Sequence, residues 1–405
     1  MTCHAAHGGR GECRTVSGGI QGGRVSPRRI RSLAEERRKT TPVSCNRAGA
    51  ANRRRMQARA DRSDLEAGYG AALPWLMTIE THTPPVFADI EAAAQRLRGV
   101  AIRTPLLHSP VLDDLLGARV FLKAETLQRT GSFKFRGACN KLFSIPQERR
   151  AAGVVAYSSG NHAQGVAAAA KLLAMPAVIV MPADAPRPKR ERTAALGADI
   201  VLYDRDREDR AAIAAGIVRE RGATLVPPFD DPFVIAGQGT AGLEIVDDLT
   251  ALGLTPDLAV IGASGGGLSA GISLAMKTRV PDAEFFTAEP EGFDDTLRSF
   301  KSGRRERNAR MSGTICDALM TETPGALTFP ITSKLIGQGV TASDAEVGRA
   351  VAFAWRELKL VVEPGGAIGL AALLAGKLDV KGKVVVAVLS GGNVDADLFC
   401  RLIAD

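Results

Sequence analysis

The sequence predicts an α/β fold built on parallel sheets, and three observations carry that prediction. Short apolar strands alternate with helical segments from about residue 100 onward. The strands are continuous Val, Ile, Leu and Ala runs, the pattern of strands covered on both faces. Glycine turns follow the strands repeatedly, at Gly160, Gly265-Gly266-Gly267 and Gly391-Gly392. Ligands of open α/β sheets bind outside the carboxyl ends of the strands, so these turns point to one shared cleft.

The elements follow in order. Thr83-Pro84-Pro85 leads into an amphipathic helix in "VFADIEAAAQRL". "GVVAYSS" (153–159) is a strand, and "NHAQGVAAAAKLL" (161–173) is the helix after it. "AVIVMP" (177–182) is a strand, with a helix in "PKRERTAALG". "ADIVLY" (198–203) is a strand, with a helix over 208–221, and "ATLVPPF" closes this run. A long helix covers "GQGTAGLEIVDDL" (237–249), followed by the strand "DLAVIGA" (257–263), a glycine turn and another helix. "EFFTAEP" and "KVVVAVLSGG" complete the set. The βαβαβα rhythm of 153–231 predicts a small substrate-side domain set into a larger one made of 77–152 and 232–405.

The 405 residues suffice for two such domains with full cores, and 45% hydrophobic with 5% aromatic residues suits Ala- and Val-rich α/β packing. The longest apolar run, "KVVVAVLS", has strand length and no run approaches the roughly 18 residues of a membrane span. The net charge of +8 is uneven: residues 1–76 hold 15 Lys+Arg against 6 Asp+Glu, leaving 37 against 38 for the rest. This first segment reads as a basic, disordered or non-native extension. Three origins were weighed: a nucleic-acid-binding arm, a transit peptide, or translation from a start placed too early, with the protein beginning near Met77. The last is taken, because the arm lacks interleaved aromatics and any motif, and no nucleic-acid partner is expected. Six scattered cysteines without a CxxC pair, and histidines without metal spacing, indicate a reducing, cytoplasmic setting and no zinc.

Three glycine-rich pieces and one lysine carry the chemistry. "GASGGGLSAG" (262–271) follows a strand and opens a helix, which frees backbone N–H groups to cradle a phosphate. It is neither a Walker loop nor a dinucleotide fingerprint. In "YSSGNHAQG" (157–165), Ser158, Ser159 and Asn161 can grip a carboxylate or simply cap the helix. "VLSGGNVD" sets Ser390 at the tip of the last strand. In "QRTGSFKFRGACNKL" (128–142), Lys134 is either a solvated charge or a nucleophile.

Together these motifs resemble the pyridoxal-phosphate enzymes of the tryptophan-synthase β type, and within them the serine/threonine dehydratases and serine racemases. The motifs occur in family order over roughly 85–400, with "GQGTAGLEI" as a further family signature. The resemblance implies two three-layer parallel-sheet domains and a homodimer or larger homo-oligomer. Lys134 would join covalently to the cofactor aldehyde and later take the substrate α-proton. Phe133 would form an apolar wall, and Gly265, Gly266, Gly267 and Leu268 would hold the phosphate. Ser264 stands where the family usually has a first glycine. Asn161 would bond the ring hydroxyl and Ser390 the pyridine nitrogen. Ser158, Asn161, His162 and Arg210 would contact the substrate, with Ser159 a second acid/base. Glu289, the carbonyl of Phe293 and Asp295 would hold Mg²⁺ or Ca²⁺. The implied reaction is β-elimination from L-threonine or L-serine to a 2-oxo acid and ammonia, an ammonia-lyase activity. Serine racemisation and 3-hydroxyaspartate dehydration are the alternatives. Asp317-Ala318 replaces the family's Asp-Gly turn, which bears on substrate choice. With the chain ending at Asp405, no isoleucine feedback is expected.

Overall fold

The computed structural model describes residues 83–185 and 187–404. The extension at 1–76 and a start at Met77 lie outside the described residues.

The strands are β1 (Leu106–His108), β2 (Arg119–Ala124), β3 (Val154–Tyr157), β4 (Ala177–Pro182), β5 (Asp199–Tyr203), β6 (Thr224–Leu225), β7 (Leu258–Gly262), β8 (Glu284–Pro290), β9 (Gly339–Ala342) and β10 (Val384–Leu389). They form a six-stranded sheet, β1-β2-β10-β7-β8-β9, and a four-stranded sheet, β5-β4-β3-β6. Every pairing is parallel except β1 with β2. That exception was not predicted. The link between these two strands holds only the short helix α2 (Pro110–Leu116), less than the dozen or so residues of a parallel crossover.

The other helices lie between and over the sheets. They are α1 (Phe87–Leu97), α3 (Lys134–Phe143), α4 (Asn161–Leu172), α5 (Arg187–Ala195), α6 (Arg210–Arg221), α7 (Pro232–Ala251), α8 (Gly267–Arg279), α9 (Asp295–Ser302), α10 (Thr328–Leu335), α11 (Asp344–Leu358), α12 (Pro364–Leu374) and α13 (Ala396–Ala404). Two boundaries differ from expectation for local reasons. The segment 223–229 that closes the run contributes only the short strand β6, because Pro227 and Pro228 have no N–H to extend the ladder. Helix α7 starts at Pro232 rather than 237, because Asp231 caps it by accepting from the N–H groups of Phe233 (2.9 Å) and Val234 (3.0 Å).

Each sheet is covered on both faces. Val351 and Ala354 of α11 and Ile368 and Leu370 of α12 pack on one face of the six-stranded sheet. Ile245 and Leu249 of α7 and Ile272 and Met276 of α8 pack on the other. Ala214 of α6 covers one face of the four-stranded sheet. On its opposite face, α4 is joined by α3, whose Phe135, Ala138, Cys139 and Leu142 pack with Val154, Ala156, Val166 and Ile179. The core therefore does not stop at the boundary of 152 expected from sequence: the lysine helix shares the core of the four-stranded sheet.

The glycines of "GQGTAGLEI" let helix backbones meet. A Cβ at Gly237 would lie 2.7 Å from the Arg136 carbonyl oxygen, and one at Gly239 would lie 2.9 Å from that of Gly271. Helix α7 thus packs directly on α3 and α8, which fixes the lysine helix relative to the triple-glycine turn.

Candidate active site

A cavity of about 400 Å³ opens among the carboxyl ends of strands from both sheets. Its walls include Phe133, Lys134, Ser158, Ser159, Asn161 and His162, then Arg210, Gly265, Gly266, Gly267, Leu268 and Ser390. Every residue predicted for cofactor or substrate contact therefore lines one space.

Lys134 is the first residue of α3 and is held there by main-chain pairing. The Phe133 N–H donates to the Ser390 carbonyl (3.1 Å), and the Gly392 N–H donates to the Gly131 carbonyl (2.9 Å). Residues 131–133 thereby run beside 390–392, which puts the amine and the Ser390 hydroxyl at one rim. The Lys134 amine donates to the Pro228 carbonyl (2.8 Å) and stands 5.1 Å from the Phe133 ring. Burial lowers its pKa to about 8, against the opposing charge of Glu363. Only the neutral amine attacks an aldehyde, so rising pH converts the ammonium to the reactive form. Cofactor uptake by protein stripped of its cofactor should accelerate about tenfold per pH unit below that value and level off above it. Stopped-flow absorbance measures this; a rate flat across the acid side contradicts it.

Opposite the amine, Gly266 adopts the left-handed conformation with φ 89°, and α8 begins at Gly267. A Cβ on Gly265 would fall 2.2 Å from the Phe229 ring, and one on Gly267 would fall 3.0 Å from the Phe229 Cβ. Only glycine lets the backbone lie this flat against Phe229. The unpaired N–H groups of the first turn of α8 and its positive end face the cavity. Such a turn has the geometry to cradle a phosphate.

The alternative of helix capping at 158–161 does not hold. Gly160 is the N-cap of α4 and makes no side-chain cap. Asn161 instead donates from Nδ2 to Glu363 Oε1 (2.6 Å) and accepts at Oδ1 from Asn393 Nδ2 (2.7 Å). Asn393 also donates to the Thr130 carbonyl (2.7 Å), which ties Asn161 to the lysine loop. Glu363 was not foreseen. It is buried before α12, and burial with the nearby Asp317 charge raises its pKa to about 7. An acid directly ahead of a wholly apolar helix was the available signal.

His162 donates from Nε2 to the Val226 carbonyl (2.8 Å), and burial together with Lys134 lowers its pKa to about 3. It is a neutral wall, not a proton carrier. Arg210 lies at the mouth with its guanidinium 5.5 Å from the Tyr157 ring centre. Two further cations, Arg205 and Lys189, line the cavity and were missed; the Lys189 amine pairs with Asp317 at 2.8 Å. Ala318 also lines the wall, where its methyl narrows the space beside Gly365.

Glu289 and Asp295 lie apart from the cavity lining, both fully buried. Glu289 accepts from the N–H groups of Thr296 and Leu297, both at 2.9 Å. Asp295 accepts at Oδ1 from Asn308 (2.6 Å), while its Oδ2 is buried without a partner. Burial raises both carboxyls, Glu289 to about 8 with the Asp295 charge adding to it, and Asp295 to about 7. Among the described residues no group of three or more His, Cys, Asp or Glu side chains is placed to hold a metal ion.

A lysine beside the carboxyl end of β10, sharing one cavity with a glycine turn at a helix N-terminus, is an arrangement that can capture a phosphorylated aldehyde. The description "Pyridoxal-phosphate dependent enzyme" matches residues 97–391, and the chain belongs to that family. It is similar to an L-threo-3-hydroxyaspartate ammonia-lyase of a Pseudomonas species, 45% identical over 78% of this chain and 98% of the relative. It is 42% identical to the L-threonine ammonia-lyase of Thermotoga maritima, over 78% of this chain and 77% of that one. The structure of maize serine racemase matches with a TM-score of 0.75, at 34% identity over 80% of this chain and 98% of that one.

Proposed function

We propose that this enzyme is a pyridoxal-phosphate-dependent ammonia-lyase acting on L-threonine and L-serine. The observation that carries the reading is the meeting of Lys134, the glycine cradle and Ser390 in one cavity. The bound cofactor supplies an electron sink for charge developing at the substrate α-carbon. Lys134 would hold the cofactor and would take the α-proton at Nζ. Gly265, Gly266, Gly267 and Leu268 would bind the phosphate, Asn161 and Phe133 would fix the ring, and Ser390 would offer the ring nitrogen a hydroxyl without charge. Ser158 and the first turn of α4 bind the substrate carboxylate, with Ser159 a candidate second proton carrier. The β-hydroxyl would then leave with a proton as water, and the released enamine would tautomerise to an imine that water hydrolyses to a 2-oxo acid and ammonia.

A second reading, elimination from 3-hydroxyaspartate, is favoured by one feature: Arg210 and Arg205 give the mouth a positive wall suited to a second carboxylate. The test is a panel of L-threonine, L-serine and L-threo-3-hydroxyaspartate, following 2-oxo acid and D-serine separately. Oxo acid from threonine and serine is expected. A kcat/KM for hydroxyaspartate above both, lost on Arg210→Leu, selects the second reading. No oxo acid from fully loaded enzyme overturns both. D-Serine as the main product selects racemisation.

The same reading takes the enzyme as a cytoplasmic homodimer with amino acids as its partners. The unpaired Cys139, Cys316 and Cys400 agree with a reducing compartment. No described helix is long and apolar enough to cross a membrane.

Glu289, Asp295 and the Phe293 carbonyl are proposed to bind Mg²⁺ or Ca²⁺. Support comes from the partnerless Asp295 Oδ2 beside a second buried carboxyl, a pair that a hard cation would compensate. Mg²⁺ at about 100 times its Kd should stabilise the fold by about 2.7 kcal/mol. Differential scanning fluorimetry should show the rise in Tm, and Glu289→Gln should remove it. An unchanged Tm with both ions rules the site out.

A further inference from the structure

We propose that Asp230 is a positioning residue that holds the phosphate cradle at its working distance from the Lys134 amine. The proposal rests on the reading above that Gly265, Gly266 and Gly267 bind the cofactor phosphate.

Consecutive residues of the loop after β6 each grip a different part of the site. The Pro228 carbonyl accepts from the Lys134 amine (2.8 Å). The Phe229 ring is the floor under Gly265, where a Cβ would fall 2.2 Å from it. Asp231 caps α7 and pairs with Lys141 of α3 (2.6 Å). Asp230, between them, reaches the start of α10. Its Oδ2 accepts from the Ala326 N–H (2.8 Å), and its Oδ1 from the N–H groups of Leu327 (2.8 Å) and Thr328 (3.3 Å). Gly325 admits the carboxylate, since a Cβ there would lie 2.2 Å from Oδ1.

The segment held in this way braces the cradle. The Gly325 N–H (3.2 Å) and the Thr328 hydroxyl (2.6 Å) both donate to the Gly265 carbonyl. A trans peptide is planar, so its C=O and its N–H point in opposite directions. Among the described residues no peptide is cis. Fixing the Gly265 carbonyl against the start of α10 therefore turns the Gly266 N–H away from that helix. Gly266 lines the cavity, and residues 325–335 do not. One carboxylate thus aims a cradle amide, while its neighbour Pro228 holds the amine. Pro227 and Pro228 stiffen the loop that spans the two. Charge does not explain this role. By Coulomb's law alone an anion here disfavours a phosphate, so Asp230 helps only through the N–H groups it holds.

The test is dialysis of the full-chain holoenzyme against graded pyridoxal phosphate and, in parallel, against pyridoxal, which carries the aldehyde without the phosphate. Visible absorption of the lysine-bound form reads occupancy. Asp230→Ala should weaken pyridoxal phosphate about 10-fold or more and change pyridoxal by less than about 2-fold. Asp230→Asn keeps Oδ1 and should recover part of the loss. Thr328→Val deletes the hydroxyl that donates to Gly265; it should act in the same direction, and it carries the test if Asp230→Ala fails to fold. Equal losses for both ligands, or variants that keep the full preference for pyridoxal phosphate, overturn the positioning role and leave the cradle standing. An unaltered enzyme that binds both ligands equally overturns the cradle, and the proposal with it.

Discussion

Lys134→Ala should yield a folded protein without the visible absorption of lysine-bound cofactor, and its turnover should fall by about 10⁴-fold or more. The other cavity amine cannot substitute. Lys189 is paired with Asp317 at 2.8 Å and stands on α5, whereas Lys134 is bound to the Pro228 carbonyl and pinned beside Ser390. Lys134→Arg separates charge from nucleophilicity. A guanidinium keeps the positive charge but does not condense with an aldehyde at neutral pH, so arginine should lose the band as completely as alanine. Absorption spectra and 2-oxo acid production measure both variants. A band that persists in either would remove Lys134 from its role.

Arg136→Met should destabilise the fold by about 3–5 kcal/mol. Arg136 is 1% exposed and bonds both oxygens of the fully buried Glu125, each at 2.8 Å. It also donates to both oxygens of Glu244 at 2.8 Å, and to the Thr240 hydroxyl at 3.1 Å. Lys123 closes the set through Glu244 (2.7 Å) and the Thr104 carbonyl (2.7 Å). Two cations and two carboxylates compensate one another with few unmet bonds. Methionine removes one cation and strands Glu125, while Glu244 keeps Lys123. Thermal and urea unfolding measure the loss. The double change Glu125→Leu/Arg136→Met should recover part of it, because no lone buried charge remains. A single variant as stable as the parent would show that the quartet contributes nothing.

This explains why an arginine follows so soon after the lysine in "SFKFRG". Lys134 begins α3, and Arg136 anchors the same turn to β2's end and to α7. Positions within a motif were legible because each piece is local: a glycine run after a strand, a serine at a strand tip, a lysine between aromatics. Roles that depend on distant partners were not. Arg136 and Glu244 are 108 positions apart, and Asn161 and Glu363 are 202 apart. Glu363 carries no glycine turn or motif of its own, so its place under Asn161 emerges only when the sheets fold together. Lys123 in "RVFLKA" belongs to no motif, yet its side chain is fully buried. Capping by Asn161 was a sound local inference that tertiary contact overrode, since Glu363 and Asn393 engage its side chain. Ser390 lies at the end of β10 as its motif suggested, but the pairing of 390–392 with 131–133 that brings it beside Lys134 joins segments some 260 positions apart.

The sharing of α3 between the strand run that precedes it and the sheet that follows it has an evolutionary consequence. Recombination between related genes at the apparent seam before β3 would pair a catalytic helix from one parent with a bed of Val154, Ala156 and Ile179 from another. Such a chimera would inherit its reactive amine and the surface that aims it from different lineages. Exchange of substrate-side modules is therefore expected to succeed only when the crossover falls upstream of the lysine loop, so that aim and reactivity travel together.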